Sequence, residues 1–180
     1  LIRDETLHRA AFTDRPDYLK AKERGLAGGN PWPVEYGPEL SRGFRALKVW
    51  AQLAEFGTER LGQMITRNCY QASYLGEQVA ETPGLELLAP VALNICCFRH
   101  VVDGLPGHVL DAMNDEIVIQ LQEQGIAAPS TTQLNGRTAI RVNITNHRTA
   151  RKDLDILLTE IVRIAASPEV AAVREAAQKA

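Results

Sequence analysis

Cysteine is scarce in this chain, aromatic residues make up only 6% of it, and no run of about 18 apolar residues occurs anywhere. Each shortage excludes something. Three cysteines, Cys96 beside Cys97 and Cys69 well apart, supply neither a disulfide framework nor the spaced pairs of a tetrahedral zinc site. They read as reduced core thiols, and a cytoplasmic protein is expected. Without a long apolar run, no helical membrane span is expected. No stretch concentrates Lys and Arg, and the net charge is −2, so nothing here is a footprint for nucleic acid or an anionic membrane. Common catalytic signatures are also missing: there is no Gly-x-Ser-x-Gly elbow, no His-Glu-x-x-His and no phosphate loop. Residues Gly25 to Gly29 lack the strand before and helix after that a dinucleotide turn requires. His8, His100, His108 and His147 are scattered, and no metal site is expected. Asn143-Ile144-Thr145 has the form of a glycosylation acceptor but lies in a strand-like run, and it is not read as one.

What is present is a chain of 180 residues, 45% of them hydrophobic, enough for one core in a domain of roughly 100–200 residues. Leu1-Ile2-Arg3-Asp4-Glu5 has no initiator Met and no signal layout, so the chain is expected to start in mid-structure, as a fragment. Residues 1–40 carry Gly25, Gly28, Gly29, Pro31, Pro33, Gly37 and Pro38 with little periodicity and read as a long irregular segment. From Ser41 the pattern turns helical. Phe44, Leu47, Ala51 and Ala54 recur at helical steps, with Ser41 as the N-cap. Gly57 is suited to close that helix in a left-handed conformation, and Thr58 to cap a second one with a stripe of Leu61, Ile65, Ala72, Leu75 and Val79. Pro83-Gly84 ends it.

Residues 85–166 read as β-β-α-β-β-α. Leu85 to Ala89 and Ala92 to Phe98 are short and strand-like, and Pro106 to Gln124 is helical with Val109, Met113, Ile117 and Leu121 every four residues. Gly125 stops that helix. Asn135-Gly136 between two alternating runs is a hairpin signal that puts Ile140, Val142 and Ile144 on one face and Arg141, Asn143 and Thr145 on the other. Thr149 is expected to cap a last helix with a stripe of Leu154, Leu157, Leu158, Ile161 and Ala165, and the residues after Ser167 are expected to fray. Three segments follow: 1–40 as an active-site loop segment, 41–84 as connecting helices and 85–180 as a small C-terminal α+β domain.

Ala11-Phe12, then Pro16-Asp17-Tyr18-Leu19-Lys20, then Arg42-Gly43-Phe44-Arg45-Ala46-Leu47-Lys48-Val49-Trp50 resemble, in order and spacing, stretches of the pyridoxal-phosphate-dependent amino-acid decarboxylases of the aromatic, histidine and glutamate group. The likeness continues weakly through Phe98 and Arg141. In that family a His-Lys-Trp motif holds the cofactor lysine and precedes these stretches, so the resemblance implies that the lysine and most of the pyridoxal 5'-phosphate site lie outside this chain. The implied parent is a fold-type I α/β enzyme. It works as a homodimer on a small amino-acid substrate, and this chain forms its C-terminal part, inactive alone.

The resemblance gives Tyr18 the role of closing over the substrate and protonating the carbon from which carbon dioxide has left. A phenol can do this from within hydrogen-bond reach in a dry site. The plainer reading of Tyr18 is a loop aromatic packed on a neighbour. Family members with Phe at this position look like aldehyde-forming oxidative enzymes, so Tyr18 favours simple decarboxylation. Ser41 falls where the family places a Gly or Ser at the edge of the substrate pocket, and Arg42 is a candidate for binding carboxylate or phosphate. Arginines at helix starts are usually solvated or ion-paired, which is the alternative for Arg42 and Arg45. Gly43 departs from the family, which commonly carries a second Arg there. Lys48 precedes Val49-Trp50 but matches the family's helix lysine, so it is not read as the Schiff-base residue. The rival classes are a non-catalytic α+β assembly or ligand-binding module, and an oxidative deaminase of the same group.

Overall fold

A computed structural model of the chain describes residues 2–12, 28–29 and 33–179. It divides into two compact units, Leu1–Glu55 and Phe56–Ala180.

In the first unit, helix α1 (Glu5–Ala10) starts at Asp4, whose Oδ1 accepts the Leu7 N–H at 3.0 Å. A 3₁₀ turn covers Pro33–Tyr36. Helix α2 (Arg45–Glu81) begins four residues later than Ser41, so Ser41 is not its N-cap. Gly43 gives the physical reason, since a glycine inside a first turn costs about 1 kcal/mol against alanine. The chain stays irregular through Phe44, and the Arg45 N–H bonds the Gly43 carbonyl at 2.8 Å. The expected stripe of Phe44, Leu47, Ala51 and Ala54 has the spacing of a buried face, yet all four are exposed, Phe44 by 74%.

Helix α2 is broken at Gly57, where φ 70° and ψ 165° form a pairing that L side chains resist. The break expected from the sequence is therefore present. Beyond it the expected stripe is only partly buried: Ala72, Leu75 and Val79 are fully enclosed, while Ile65 is exposed.

The rest of the second unit is a four-stranded antiparallel sheet with helices on one face. Its elements are β1 (Leu85–Leu87), β2 (Ile95–His100), α3 (Gly107–Glu123), β3 (Ser130–Leu134), β4 (Arg137–Asn143), α4 (Arg151–Ala165) and α5 (Pro168–Lys179). The strand order is β1-β2-β4-β3. Asn135 (φ 52°) and Gly136 (φ 72°) make the tight turn that pairs Leu134 with Arg137. Pairing of Cys96 with Val142 and of Phe98 with Ile140 aims these four side chains at the helices. Val109, Met113, Ile117 and Leu121 of α3 and Leu154, Leu157, Leu158 and Ile161 of α4 meet them in one core.

Helix α3 ends in a paired backbone motif: the Gly125 N–H bonds the Gln122 carbonyl and the Ile126 N–H the Leu121 carbonyl, both at 3.0 Å, with Gly125 at φ 66°. Helix α4 starts one residue later than expected. Its N-cap is Ala150, whose N–H is held by Asp153 Oδ2 at 2.9 Å, and Ile164 rather than Ala165 completes its buried stripe. The expected fraying after Ser167 does not occur. Residues Pro168–Lys179 form α5 against α3, with Val170 fully buried and the His108 ring bonded to the Ala177 carbonyl at 3.1 Å. Alanine-rich composition conceals this, because one buried valine and a close helix crossing decide it.

Candidate functional site

The first unit has no apolar core among its described residues. Glu35 is the only buried one, at 4% exposure, and it forms an ion pair with Arg9 of α1. Two further bonds tie α1 to the same 3₁₀ turn. The Tyr36 hydroxyl donates to Glu5 Oε1 at 2.7 Å, and the His8 ring pairs through Nε2 with the Tyr36 carbonyl at 3.1 Å. The Glu5 hydrogen bond holds the Tyr36 phenol in its protonated form and pushes its pKa up. Edge-on contacts of the His8 ring with Phe12 and Tyr36, at 5.7 and 5.5 Å, complete the cluster. The separation of Arg9 from Glu35 along the chain leaves no periodic signal by which sequence reasoning would have paired them.

Of the residues singled out from the sequence, Tyr18 lies outside the described residues. Ser41 and Arg42 are both exposed and precede the first turn of α2. Arg42 turns back on the 3₁₀ turn, where its Nη2 donates to the Pro33 carbonyl at 3.0 Å. The same nitrogen occupies space beside Gly37, where an added Cβ would stand 2.9 Å from it. Arg45 lies 3.9 Å from Glu39 in an exposed ion pair.

In the second unit the polar face of the sheet carries Glu86, Cys97, Arg99, Arg137 and Arg141. Glu86 bridges two of the arginines, with Oε2 to Arg99 Nε at 2.7 Å and Oε1 to Arg137 Nη1 at 3.0 Å. Arg99 is 8% exposed, so this carboxylate keeps a buried guanidinium paired. Arg141 stands opposite Cys97. Burial pushes the Cys96 thiol up to about 12, and burial also raises that of Cys97, against the opposing pull of Arg141. Neither is poised as a thiolate nucleophile. All three cysteines are free.

An open groove of about 530 Å³ runs between α2 and α4, lined by Arg67, Gln71, Tyr74 and Arg151 among others. Arg67 and Gln71 donate to the Thr149 carbonyl, and Tyr74 donates to Asp155 Oδ1 at 2.7 Å under the Arg151 guanidinium. Thr149 thus acts through its carbonyl rather than as a helix cap.

Among the described residues no His, Cys, Asp or Glu cluster fits a metal ion, and no helix is long and apolar enough to cross a membrane. The described lysines, Lys48, Lys152 and Lys179, are all exposed on helices. None is enclosed as an imine-forming lysine must be, so the described residues do not fit the role of holding an aldehyde cofactor.

These elements define a small α+β domain and, earlier in the chain, a segment anchored by polar contacts. The conserved domain of the pyridoxal-dependent decarboxylases matches residues 1–101, and the chain belongs to that family. It is 30% identical over 166 residues to an aromatic-L-amino-acid decarboxylase of Bacillus atrophaeus, an alignment covering 92% of this chain and 34% of that protein. The chain therefore spans about a third of that relative's length. Among solved structures, it is 28% identical to the glutamate decarboxylase domain of a Vibrio parahaemolyticus diaminobutyrate-pyruvate transaminase and L-2,4-diaminobutyrate decarboxylase. The TM-score is 0.61, with 67% of this chain and 25% of that one covered. Mouse CSAD shares the fold at 17% identity, with a TM-score of 0.71 over 90% of this chain and 35% of its own.

Proposed function

We infer that this chain is the C-terminal part of a fold-type I, pyridoxal-phosphate-dependent carboxy-lyase that converts an L-amino acid to its amine, inactive alone. The observation that carries this reading is the decarboxylase-domain match over residues 1–101, which takes in the Pro16–Lys20 and Arg42–Trp50 runs. The parent is a cytoplasmic homodimer. Residues 1–40 supply its active-site loop segment, 41–84 its connecting helices and 85–180 its small domain. When bound, the cofactor supplies an electron sink for the loss of carbon dioxide, and residues outside this chain hold it.

This chain's contribution is a proton and a pocket edge. Tyr18 delivers the proton from its phenol to the carbon that has lost carbon dioxide, which requires hydrogen-bond reach and exclusion of water. Ser41 and Arg42 stand at the pocket edge. One Arg42 donor is engaged at Pro33, and its other donors would orient a substrate carboxylate.

Tyr18→Phe in the full-length protein tests this directly. Amine formation should be abolished while cofactor binding, read from its absorbance, is unchanged. Full-length protein that releases no carbon dioxide from any amino acid with added pyridoxal phosphate would refute the reading in favour of a non-catalytic module. Aldehyde and ammonia as the main products would move it to the oxidative deaminases of the same group.

A further inference from the structure

We propose that the face of the sheet opposite the helices is a docking surface for an acidic patch in the part of the parent enzyme outside this chain, with Arg141 receiving a carboxylate from it. This rests on the reading of the chain as the C-terminal part of a larger enzyme. Cys96 and Phe98 of β2 and Ile140 and Val142 of β4 point at the helices, so alternation along the strands turns Cys97, Arg99, Arg137 and Arg141 the other way, with Glu86 of β1 beside Arg99. Ile95 and Leu134 share that outward face.

Charge on this face does not balance. Three guanidinium groups stand with one carboxylate, and Glu86 is already divided between Arg99 and Arg137. Arg141 is half-buried, and its guanidinium has neither an ion pair nor a hydrogen bond among the described residues. A guanidinium drawn out of water without a counter-charge is costly, and its planar fork suits a carboxylate. Arg99 is 8% exposed and Ala139, between Arg137 and Arg141, is fully buried, so the face is already partly dry. A carboxylate brought there gains more than it would at a solvated arginine.

Charge and size together select the occupant. A second copy docked by this face would set guanidinium groups against guanidinium groups, since a two-fold contact repeats the same patch on both sides. A free anion would leave Ile95 and Leu134 without apolar cover. Four strands about 4.8 Å apart and about five residues long present roughly 300 Å², or about 600 Å² counting both surfaces, the lower end of the range for contacts between domains of one chain. The chain aligns with only 34% of its Bacillus atrophaeus relative, so a parent of that length has ample surface to supply the acidic patch.

The test uses the full-length protein and reads the thiol of Cys97, which lies opposite Arg141. Its alkylation by iodoacetamide, located by mass spectrometry, should be slow in the wild type and at least about tenfold faster in Arg141→Glu. Burial raises the Cys97 pKa and Arg141 opposes that rise, so removing Arg141 by itself makes the thiol less reactive, and a faster reaction can come only from exposure. Cys69 on α2 should react at the wild-type rate, which separates undocking from unfolding. Arg141→Met carries the same measurement should Arg141→Glu fail to fold. In Arg141→Lys, a carbodiimide should join the introduced amine to an Asp or Glu of the same polypeptide outside residues 1–180.

Cys97 that reacts equally fast with and without Arg141, or a link formed only within residues 1–180, only between two copies, or not at all, would overturn the docking surface. Those results leave the decarboxylase reading standing as long as the wild type releases carbon dioxide from an amino acid. Absence of that activity overturns the decarboxylase reading, and the alkylation and the link still decide the docking.

Discussion

Replacing Asn114 by alanine should be among the most damaging single changes in the sheet domain. The side chain is completely buried on α3 and makes three bonds: Oδ1 accepts the His100 N–H at 2.7 Å, and Nδ2 donates to the His100 carbonyl at 2.9 Å and to the Leu110 carbonyl at 2.7 Å. It takes over the backbone pairing of the last residue of β2. Truncation leaves both the His100 N–H and its carbonyl without that partner, and each orphaned group costs about 1–3 kcal/mol. Leu110 loses only a second acceptor contact within the helix. The sum is roughly 2–6 kcal/mol, a large share of a stability of about 5–15 kcal/mol. For a protein of this size the midpoint should fall by roughly 2–4 °C per kcal/mol. Urea and thermal unfolding followed by circular dichroism measure this, with the exposed neighbour Asp115→Ala as a control expected within about 0.5 kcal/mol. An Asn114→Ala cost below about 1 kcal/mol would refute the argument, since it would mean that His100 finds other partners at no penalty.

Three further predictions concern charge and backbone. Burial lowers the pKa of His100, so the unfolded chain binds the proton more readily; stability should be complete above about pH 6.5 and decline as pH falls below it, and His100→Gln should flatten that decline in urea midpoints at pH 7.5 and 5.5. Glu86→Gln should cost about 1–3 kcal/mol, because it strips the buried Arg99 of its counter-charge. Glu160→Gln, in the exposed pair with Arg163, should cost at most about 1 kcal/mol, and equal losses in denaturant titrations would contradict the role assigned to burial. Gly57→Ala should cost about 1–3 kcal/mol of strain at φ 70° and ψ 165°; a stabilised variant with increased helical circular dichroism would show that the two halves of α2 merge at no cost.

Local chemistry made part of this fold legible from sequence. Asn135-Gly136 specifies its turn by the positive φ that both residues tolerate, and the four-residue repeat from Val109 to Leu121 fixes the buried face of α3 with no reference to the rest of the chain. Where tertiary contact decides, the reading failed. Helix α5 is held by Val170 against α3, which an Ala- and Glu-rich tail does not announce. Ser41 had the right side chain for a cap, but Gly43 two residues on delays the helix. The apolar stripe of Phe44, Leu47, Ala51 and Ala54 had the correct period but is exposed in this chain. The polar contacts were least visible. Arg9 with Glu35, and Glu86 with Arg99 and Arg137, join residues distant in sequence, and a charged residue in isolation reads as solvated.

The strand order β1-β2-β4-β3 has a consequence for self-association. The segment best suited to intermolecular β pairing is Ile95-Cys96-Cys97-Phe98, apolar and uncharged, and it lies in a central strand that pairs with β4 from Ile95 to Phe98 and with β1 from Phe98 to His100. The two rims are left to strands that make poor templates. At one rim stands β1, only three residues long and carrying Glu86 at its middle; at the other stands β3, Ser-Thr-Thr-Gln-Leu, preceded by Pro129. The adhesive sequence is therefore shielded by placement rather than by dilution. Variants that loosen β1 should accordingly begin to aggregate before they lose helix content.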